Sequence, residues 1–404
     1  MEHNSSYSTP LSLTSQFPFC GLPLRLDTYL GCTFGCIYCS SKDRGGNYKY
    51  VVSKPANPAF INNFFTPTKR KRGGVLNQMI SRKVPIHMGG MSDPFQPLEI
   101  KYRVTQNVLK HLCEIEYPIV ISTKSDLLLQ EPYLTFLKQN PFILVQFSFS
   151  TVIDKKSTVL EPFSTPPSKR LRAMEMLEKN GVHTACRWQP YIPFTDLDNK
   201  QFIQAIANTG SRFLTLEHLK LPIEIKEHVI FNKNYSSLYK EKGAAQVGRE
   251  LILNLENKVT TVKSIRNLAH SFNLEFGAAD NELHQFSDTA CCCAGVASLP
   301  GFENWSKYQI SYAVCKSKRS PFSFSIIDDE WRPNGLINRQ INSHSRLNKN
   351  SKDFGSMEDY LRYYWNNTES IFNPIHYYGV KLLSTDFNNG NIYCWNSLEE
   401  ENHE

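Results

Sequence analysis

Short apolar runs of β type recur through the first half of the chain. They occupy residues 24–30 (LRLDTYL), 84–90 (VPIHMGG), 118–125 (PIVISTKS), 143–150 (ILVQFSFS), 182–189 (VHTACRWQ) and 212–219 (RFLTLEHL). Helical periodicity separates several of them. Within 103–116, Val104, Val108, Leu109, Leu112 and Ile115 share one face. Within 168–180 the pattern predicts a cap at Ser168, an inner stripe of Leu171, Met174 and Leu177, and a stop at Gly181. A further helix is predicted over 257–273, followed by LEFGAA as one more strand. Strand, helix, strand repeated about every 30 to 40 residues means a parallel sheet. The expected fold is α/β, a partial or full (β/α) barrel, with its chemistry where strands end and loops begin. Residues 1–20 read as a flexible lead, 21–290 as the barrel domain and 291–404 as a C-terminal extension with its own cysteine cluster.

Composition changes this picture little. The chain has 404 residues, 41% hydrophobic and 12% aromatic, enough for a substantial core. It has no apolar run of 18 residues and no basic start followed by an apolar stretch. The expectation is therefore a cytoplasmic protein with no membrane partner. A formal charge of +7 permits an anionic partner without demanding one. The eleven cysteines are clustered, which in a reducing compartment points to metal rather than disulfides.

The densest cluster is Cys32, Cys36 and Cys39, spaced C-x3-C-x2-C directly after a predicted strand. A closed structural zinc site needs four ligands. Three thiolates on one loop, which Gly31 and Gly35 let turn tightly, fit a [4Fe–4S] cluster with one iron left open. A zinc knuckle borrowing a distant fourth ligand is the alternative. This motif after a strand, with Tyr38 beside Cys39, is the signature of the radical S-adenosylmethionine (radical SAM) superfamily, and the chain resembles it. The runs GGMSDPFQPLE (89–99), STKSDLLL (122–129), VQFSFST (145–151) and LEPFSTPPSKRLRAMEMLEKNGVHTACRWQPYIP (160–193) are similar to the spore photoproduct lyase-like branch. The resemblance covers about residues 22–220.

It implies a barrel of the radical SAM type and two cofactors, a [4Fe–4S] cluster and S-adenosyl-L-methionine (AdoMet). It also implies reductive cleavage of AdoMet to a 5′-deoxyadenosyl radical that abstracts hydrogen from a substrate. The substrate is a candidate nucleic acid, and an electron donor such as flavodoxin or ferredoxin is implied. The residues at strand ends supply a candidate AdoMet shell. Ser92 and Asp93 offer oxygens to an amine or ribose, or else form an Asp-Pro turn. Lys124 is a point cation for a carboxylate, or a solvated lysine. Ser148 and Ser150 lie two apart, on one strand face, and a hydroxyl on this strand bonds AdoMet in relatives. Arg187 is read as a carboxylate fork or as an ion pair in the wall. Cys186 beside it then points the other way as a small hydrophobe.

One departure stands out. The lyases return hydrogen from a cysteine near the motif that SDP occupies here, yet residues 86–98 hold none, only Met88 and Met91, which lack an S–H. A different substrate is expected. Further on, Cys291, Cys292 and Cys293 stand in a row, with Asp280, Glu282, His284 and Asp288 before them and Cys315 after. Three readings stay open. One is a second iron–sulfur cluster or metal near Cys291, Cys292 and Cys293, completed by Cys315 or His284. Another is a catalytic thiol, Cys292 or Cys293, in place of the missing lyase cysteine. The last is buried cysteines without a role. Asp280, Glu282 and His284 alternate, so an extended loop would turn all three to one side to bind substrate or shuttle a proton.

A basic run, TPTKRKRGG (66–74), and C-terminal aromatics at 360–367, 376–379 and 392–395 are candidates for phosphate contact and base stacking, or for a solvated loop and core packing. The extension could serve as a lid. The rivals to a lyase-like enzyme are a non-catalytic metal-binding module that binds nucleic acid and a radical SAM maturase acting on a protein or peptide.

Overall fold

The structure, a computed structural model, describes residues 7–14, 16, 18, 20–39, 41, 53–70, 73–193, 198–222, 238–241, 250–317, 320–327, 354–370, 372–376, 379–388 and 390–395. Its centre is an eight-stranded sheet in which spatial order follows chain order. The strands are β1 (Leu11–Leu13), β2 (Leu24–Leu26), β3 (Ile86–Met88), β4 (Ile119–Thr123), β5 (Ile143–Phe149), β6 (His183–Tyr191), β7 (Phe213–His218) and β8 (Glu275–Ala278). Only β1 is antiparallel, on β2; every other neighbouring pair is parallel. The terminal strands do not pair with each other, so the sheet is a partial barrel and not a closed one.

Most of the predicted strands form as expected, but residues 24–30 break in two. The chain leaves β2 at Asp27, whose carboxylate accepts the N–H groups of Met91 and Ser92 at 2.8 and 3.1 Å, and Tyr29–Leu30 pairs instead with Lys54–Pro55. The main helices are α1 (Pro58–Phe65), α2 (Val75–Ser81), α3 (Val104–Glu114), α4 (Tyr133–Gln139), α5 (Pro167–Lys179), α6 (Asn199–Ala207) and α7 (Leu255–Ser271). Ser168 does not cap α5. Pro167 opens the helix, and Ser168 sits in its first turn, giving its N–H and hydroxyl to Asp154 at 2.9 and 2.6 Å. Gly181 (φ 78°) follows the helix end as expected.

Strand parity decides the two faces. Ile119, Ile121, Val145, Phe147, Cys186, Trp188, Leu214 and Leu216 belong to one cluster with the helix residues Val108, Leu112, Met174, Leu177, Ile203 and Ile265. The alternate residues Val120, Leu144 and Ala185 face the other way and are covered by Cys20, Cys291, Cys292, Cys293, Val296 and Phe302. One face is thus closed by helices and the other is plugged by a cysteine-rich segment. Towards the strand ends this inner face turns polar, through Ser122, Gln146, Ser148, Arg187, Gln189 and Glu217.

The extension adds α8 (Ile310–Lys316), α9 (Met357–Asn366) and a hairpin, Val380–Asp386 with Gly390–Trp395. Its aromatics mostly pack. Tyr360, Trp365 and Tyr393 are fully buried, Tyr364 nearly so, in the same cluster as the helices. Trp365 Nε1 donates to the Asn391 carbonyl at 2.7 Å. These rings are therefore core, not base-stacking platforms; Tyr377 and Tyr378 lie outside the described residues. So do Lys71 and Arg72 of the basic run.

Candidate functional site

The Cys32–Cys39 loop follows Leu30 at the strand end. Gly31 (φ 79°) and Gly35 (φ 65°) turn it, and a Cβ at Gly35 would meet the Phe163 ring at 3.0 Å. Gln96 holds its base: Nε2 donates to the Gly31 carbonyl and Oε1 accepts from Thr33 N–H, both at 3.0 Å. Ile37 N–H donates to the Leu160 carbonyl at 3.0 Å and Cys39 N–H to that of Cys36 at 3.2 Å. Burial pushes the Cys32 and Cys36 thiols up to about 12, so it takes a bound cation to make them thiolates. Among the described residues no three His, Cys, Asp or Glu side chains converge on one point as they stand. The residues nevertheless fit a cluster. Three thiols share one clamped loop, and two of them, Cys32 and Cys39, stand at a cavity wall.

A cavity of about 280 Å³ opens beside this loop at the C-terminal ends of the parallel strands. Cys32 and Cys39 line one part of it, and Ser92, Asp93, Lys124, Ser148 and Arg187 line other parts. Five of the six predicted AdoMet contacts are thus brought together. Ser150 is not among the lining residues. The strand ends at Phe149, so the two-residue alternation fails there, and Ser150 is buried with its hydroxyl on Glu161 at 2.8 Å.

Several lining groups also brace the fold. The Ser92 hydroxyl donates to the Tyr29 carbonyl at 2.5 Å. Asp93 accepts from Thr123 Oγ1 at 2.8 Å, Phe95 N–H at 2.9 Å and Lys124 N–H at 2.7 Å, locking two strand ends together. Burial raises its carboxyl to about 6 despite these bonds. Lys124 Nζ reaches Glu161 Oε1 at 3.2 Å and lies over the Tyr38 ring at 5.7 Å.

Glu161 is a hub that the sequence reading did not single out. Its carboxylate is fully buried and meets Arg170 Nη2 at 2.5 Å, Lys124, the Tyr38 hydroxyl and Ser150. Burial pushes this carboxyl up, but Lys124 and Arg170 outweigh it and hold it well below the usual carboxylate range. Lys124 and Glu161 are 37 residues apart in the chain, and no local pattern marks that pairing.

Across the cavity stand Arg187 and the cysteine plug. Cys292 and Cys293 line the cavity, and so does Cys20, which was not among the expected site residues. Arg187 Nη1 donates to Cys293 Sγ at 3.4 Å, Nη2 to Glu217 Oε2 at 3.4 Å, and Nε to Gln189. Lys220 Nζ holds the other Glu217 oxygen at 2.5 Å. Arg187 therefore lies on the inner face and Cys186 in the helix-side core, as alternation requires. His87, also lining the cavity, bonds Ser122 Oγ at 2.7 Å, and burial with the Arg187 and Arg25 charges lowers it to about 3.

The expected rim trio does not form. Residues 280–286 turn into a short 3₁₀ helix at His284–Phe286, so alternation does not hold. Asp280 is buried between His218 (2.5 Å) and Lys258 (3.1 Å), and Glu282 joins Lys258 at 2.6 Å. His284 is buried, is not among the cavity-lining residues, and is lowered to about 4 by burial. It does not reach the cavity wall where the expected rim group was placed. Asp288 is tied to Arg266, His270 and the Phe276 N–H. Cys315 is exposed on α8. None of the eleven cysteines is in a disulfide.

No family model matches the sequence. Two curated proteins do. An uncharacterized protein of Methanocaldococcus jannaschii is 27% identical over 225 residues, covering 54% of this chain and 79% of that protein. The radical SAM Nalpha-GlyT isomerase of Pseudomonas phage M6 is 23% identical over 196 residues, covering 47% of this chain but only 38% of the isomerase. In structure the chain is similar to spore photoproduct lyase. One mutant of that enzyme matches with TM-score 0.51 at 13% identity, over 68% of this chain and 80% of the lyase. Another, with bound AdoMet and dinucleoside spore photoproduct, matches with TM-score 0.50 at 14% identity, over 66% and 79%. The fold is that of the radical SAM enzymes. Within this radical SAM fold the expected likeness to the lyase-like branch is borne out. Among the described residues no helix is long and apolar enough to cross a membrane.

Proposed function

We propose that the chain is a radical SAM enzyme whose Cys32, Cys36 and Cys39 hold a [4Fe–4S] cluster and whose Ser92, Asp93, Lys124, Ser148 and Arg187 hold AdoMet. The observation that carries this reading is that Cys32 and Cys39 of the cysteine loop and those five side chains line one cavity at the C-terminal ends of the parallel strands. Held there by Cys32, Cys36 and Cys39, such a cluster would supply one-electron reduction for the cleavage of AdoMet. The protein's own part is orientation and electrostatics. Lys124, held by Glu161, presents a cation at the cavity wall, and Arg187 presents a planar fork. Asp93 fixes the two strand ends that carry Ser92 and Lys124. Ser150 acts through Glu161 rather than by touch.

The substrate class that the comparisons favour is nucleic acid. Spore photoproduct lyase binds a dinucleoside photoproduct, and the arginines and lysines lining the cavity suit an anionic ligand. Met91 lines the cavity where a lyase thiol would be sought, and thiols of Cys292 and Cys293 enter from the opposite wall. The reaction is thus lyase-like in its start and different in its finish. A reducing compartment and a flavodoxin- or ferredoxin-type donor go with this chemistry.

The test is direct. Anaerobically isolated protein should be brown, and once reduced it should release 5′-deoxyadenosine from AdoMet, an activity that Cys36→Ala abolishes. A colourless protein that leaves AdoMet intact after reconstitution overturns the proposal.

A further inference from the structure

We infer that Arg25, His87 and Gly90 form a recognition notch in the cavity wall for a base edge that offers a ring N–H beside a carbonyl oxygen, as thymine, uracil and guanine do. This deepens the nucleic-acid reading above and rests on it. All three residues line the cavity. Arg25 and His87 are register partners on β2 and β3, so their side chains stand side by side. Gly90 leaves the space in front of them open. A Cβ there would lie 3.4 Å from Arg25 Cδ, 3.7 Å from Arg25 Nε and 3.6 Å from His87 Nδ1. Its neighbour Gly89 is glycine for a backbone reason: φ is 90°, and a Cβ would strike the Ser122 carbonyl oxygen at 2.5 Å. Gly90 is not among the residues with positive φ. What its missing side chain provides is room between a guanidinium and an imidazole.

The imidazole has one role left to play there. His87 is only 9% exposed. Ser122 Oγ gives its proton to Gln146 Oε1 at 3.2 Å, so the Ser122 oxygen accepts from His87 Nε2–H at 2.7 Å. Burial and the charges of Arg187 and Arg25 keep the ring neutral, and its single proton is then the one on Nε2. Nδ1 therefore presents a lone pair, and it has no hydrogen-bond partner among the described residues. A ligand entering the notch meets an acceptor at His87 and a cationic donor at Arg25. A lactam edge answers both, because a ring holds its N–H and C=O on the same side. A trans peptide points the two in opposite directions and can satisfy only one of these neighbours. Cytosine and adenine would set a ring-nitrogen lone pair against that of Nδ1. An enzyme that acts on a base takes it out of the stack, which exposes this edge.

The test uses anaerobically reconstituted full-length protein with AdoMet and no reductant, so that nothing turns over. Its binding to three dye-labelled single-stranded probes is measured by fluorescence anisotropy: oligodeoxythymidylate, the same oligomer built from N3-methylthymidine, and oligodeoxycytidylate. The thymidine probe should bind more tightly than the other two by about tenfold, the worth of one hydrogen bond at a buried group. His87→Phe, which keeps a flat ring without Nδ1, should erase that preference. Gly90→Val, which fills the notch, should erase it too. In both variants the N3-methyl probe should bind as it does to the wild type, a control for misfolding. No binding of any probe, no preference in the wild type, a preference that survives His87→Phe, or an equal loss of all three probes in both variants would overturn the inference. Release of 5′-deoxyadenosine needs none of these contacts, so its presence without any base preference sinks this inference alone.

Discussion

Replacing Glu161 by Gln tests the electrostatic core of the site. Glu161 and Arg170 have fully buried side chains 2.5 Å apart, and Lys124 adds a second, mostly buried cation at 3.2 Å. Gln keeps the shape and some of the hydrogen bonds but removes the anion that pairs with Arg170. Breaking a buried pair from one side costs about 3–5 kcal/mol, because a buried charge is left uncompensated. Part of that loss is recoverable: Glu161→Gln with Arg170→Met should be less destabilised than Glu161→Gln alone. The pH profile adds a second reading. The folded-state pKa of Glu161 lies below its ordinary value of 4.5. Its contribution is therefore fully present above that value and is lost as pH falls through the folded pKa. The gap in urea-unfolding stability between wild type and Glu161→Gln should be flat from pH 8 to about 5 and narrow below 4.5. A cost under about 1 kcal/mol at pH 7, or a gap that does not narrow in acid, would refute the assignment of Glu161 as the charged hub.

Other consequences follow from single contacts. Asp27 is buried and raised to about 6, so its ionisation costs stability that is regained as pH falls from neutrality towards 4; its bonding oxygen accepts only N–H groups. Asp27→Asn should flatten that slope and be neutral or stabilising at pH 7.5, measured by urea midpoints across pH; a loss of more than about 1 kcal/mol would contradict it. Arg187→Met should weaken AdoMet or substrate binding by about tenfold or more in calorimetry, the worth of one charged hydrogen bond, while unchanged affinity removes Arg187 from the cavity's work. Gly277→Ala should cost about 1–3 kcal/mol by forcing the triplet off β8, whereas Gly355→Ala, whose added Cβ meets nothing nearer than 3.5 Å, should stay within about 0.5 kcal/mol.

What sequence alone determined here is what depends on neighbours a few residues apart. The C-x3-C-x2-C loop, the glycines that turn it, the 3.6-residue stripe of α3 and the opposite placement of Cys186 and Arg187 all follow from local geometry, and all are legible. The same local rules went astray where a regular element ended unannounced. Ser150 lies one step past β5, Ser168 one step inside α5, and the 280–284 alternation dissolves into a turn. Tertiary structure alone decided which distant groups meet. Glu161 becomes a hub because Lys124, Ser150 and Arg170 converge on it from separate parts of the chain. Cys20 joins Cys291–Cys293, from the far end of the barrel sequence, because both segments cover one patch of the inner sheet face. Such meetings are set by how helices and strands pack, so no periodicity in the chain encodes them.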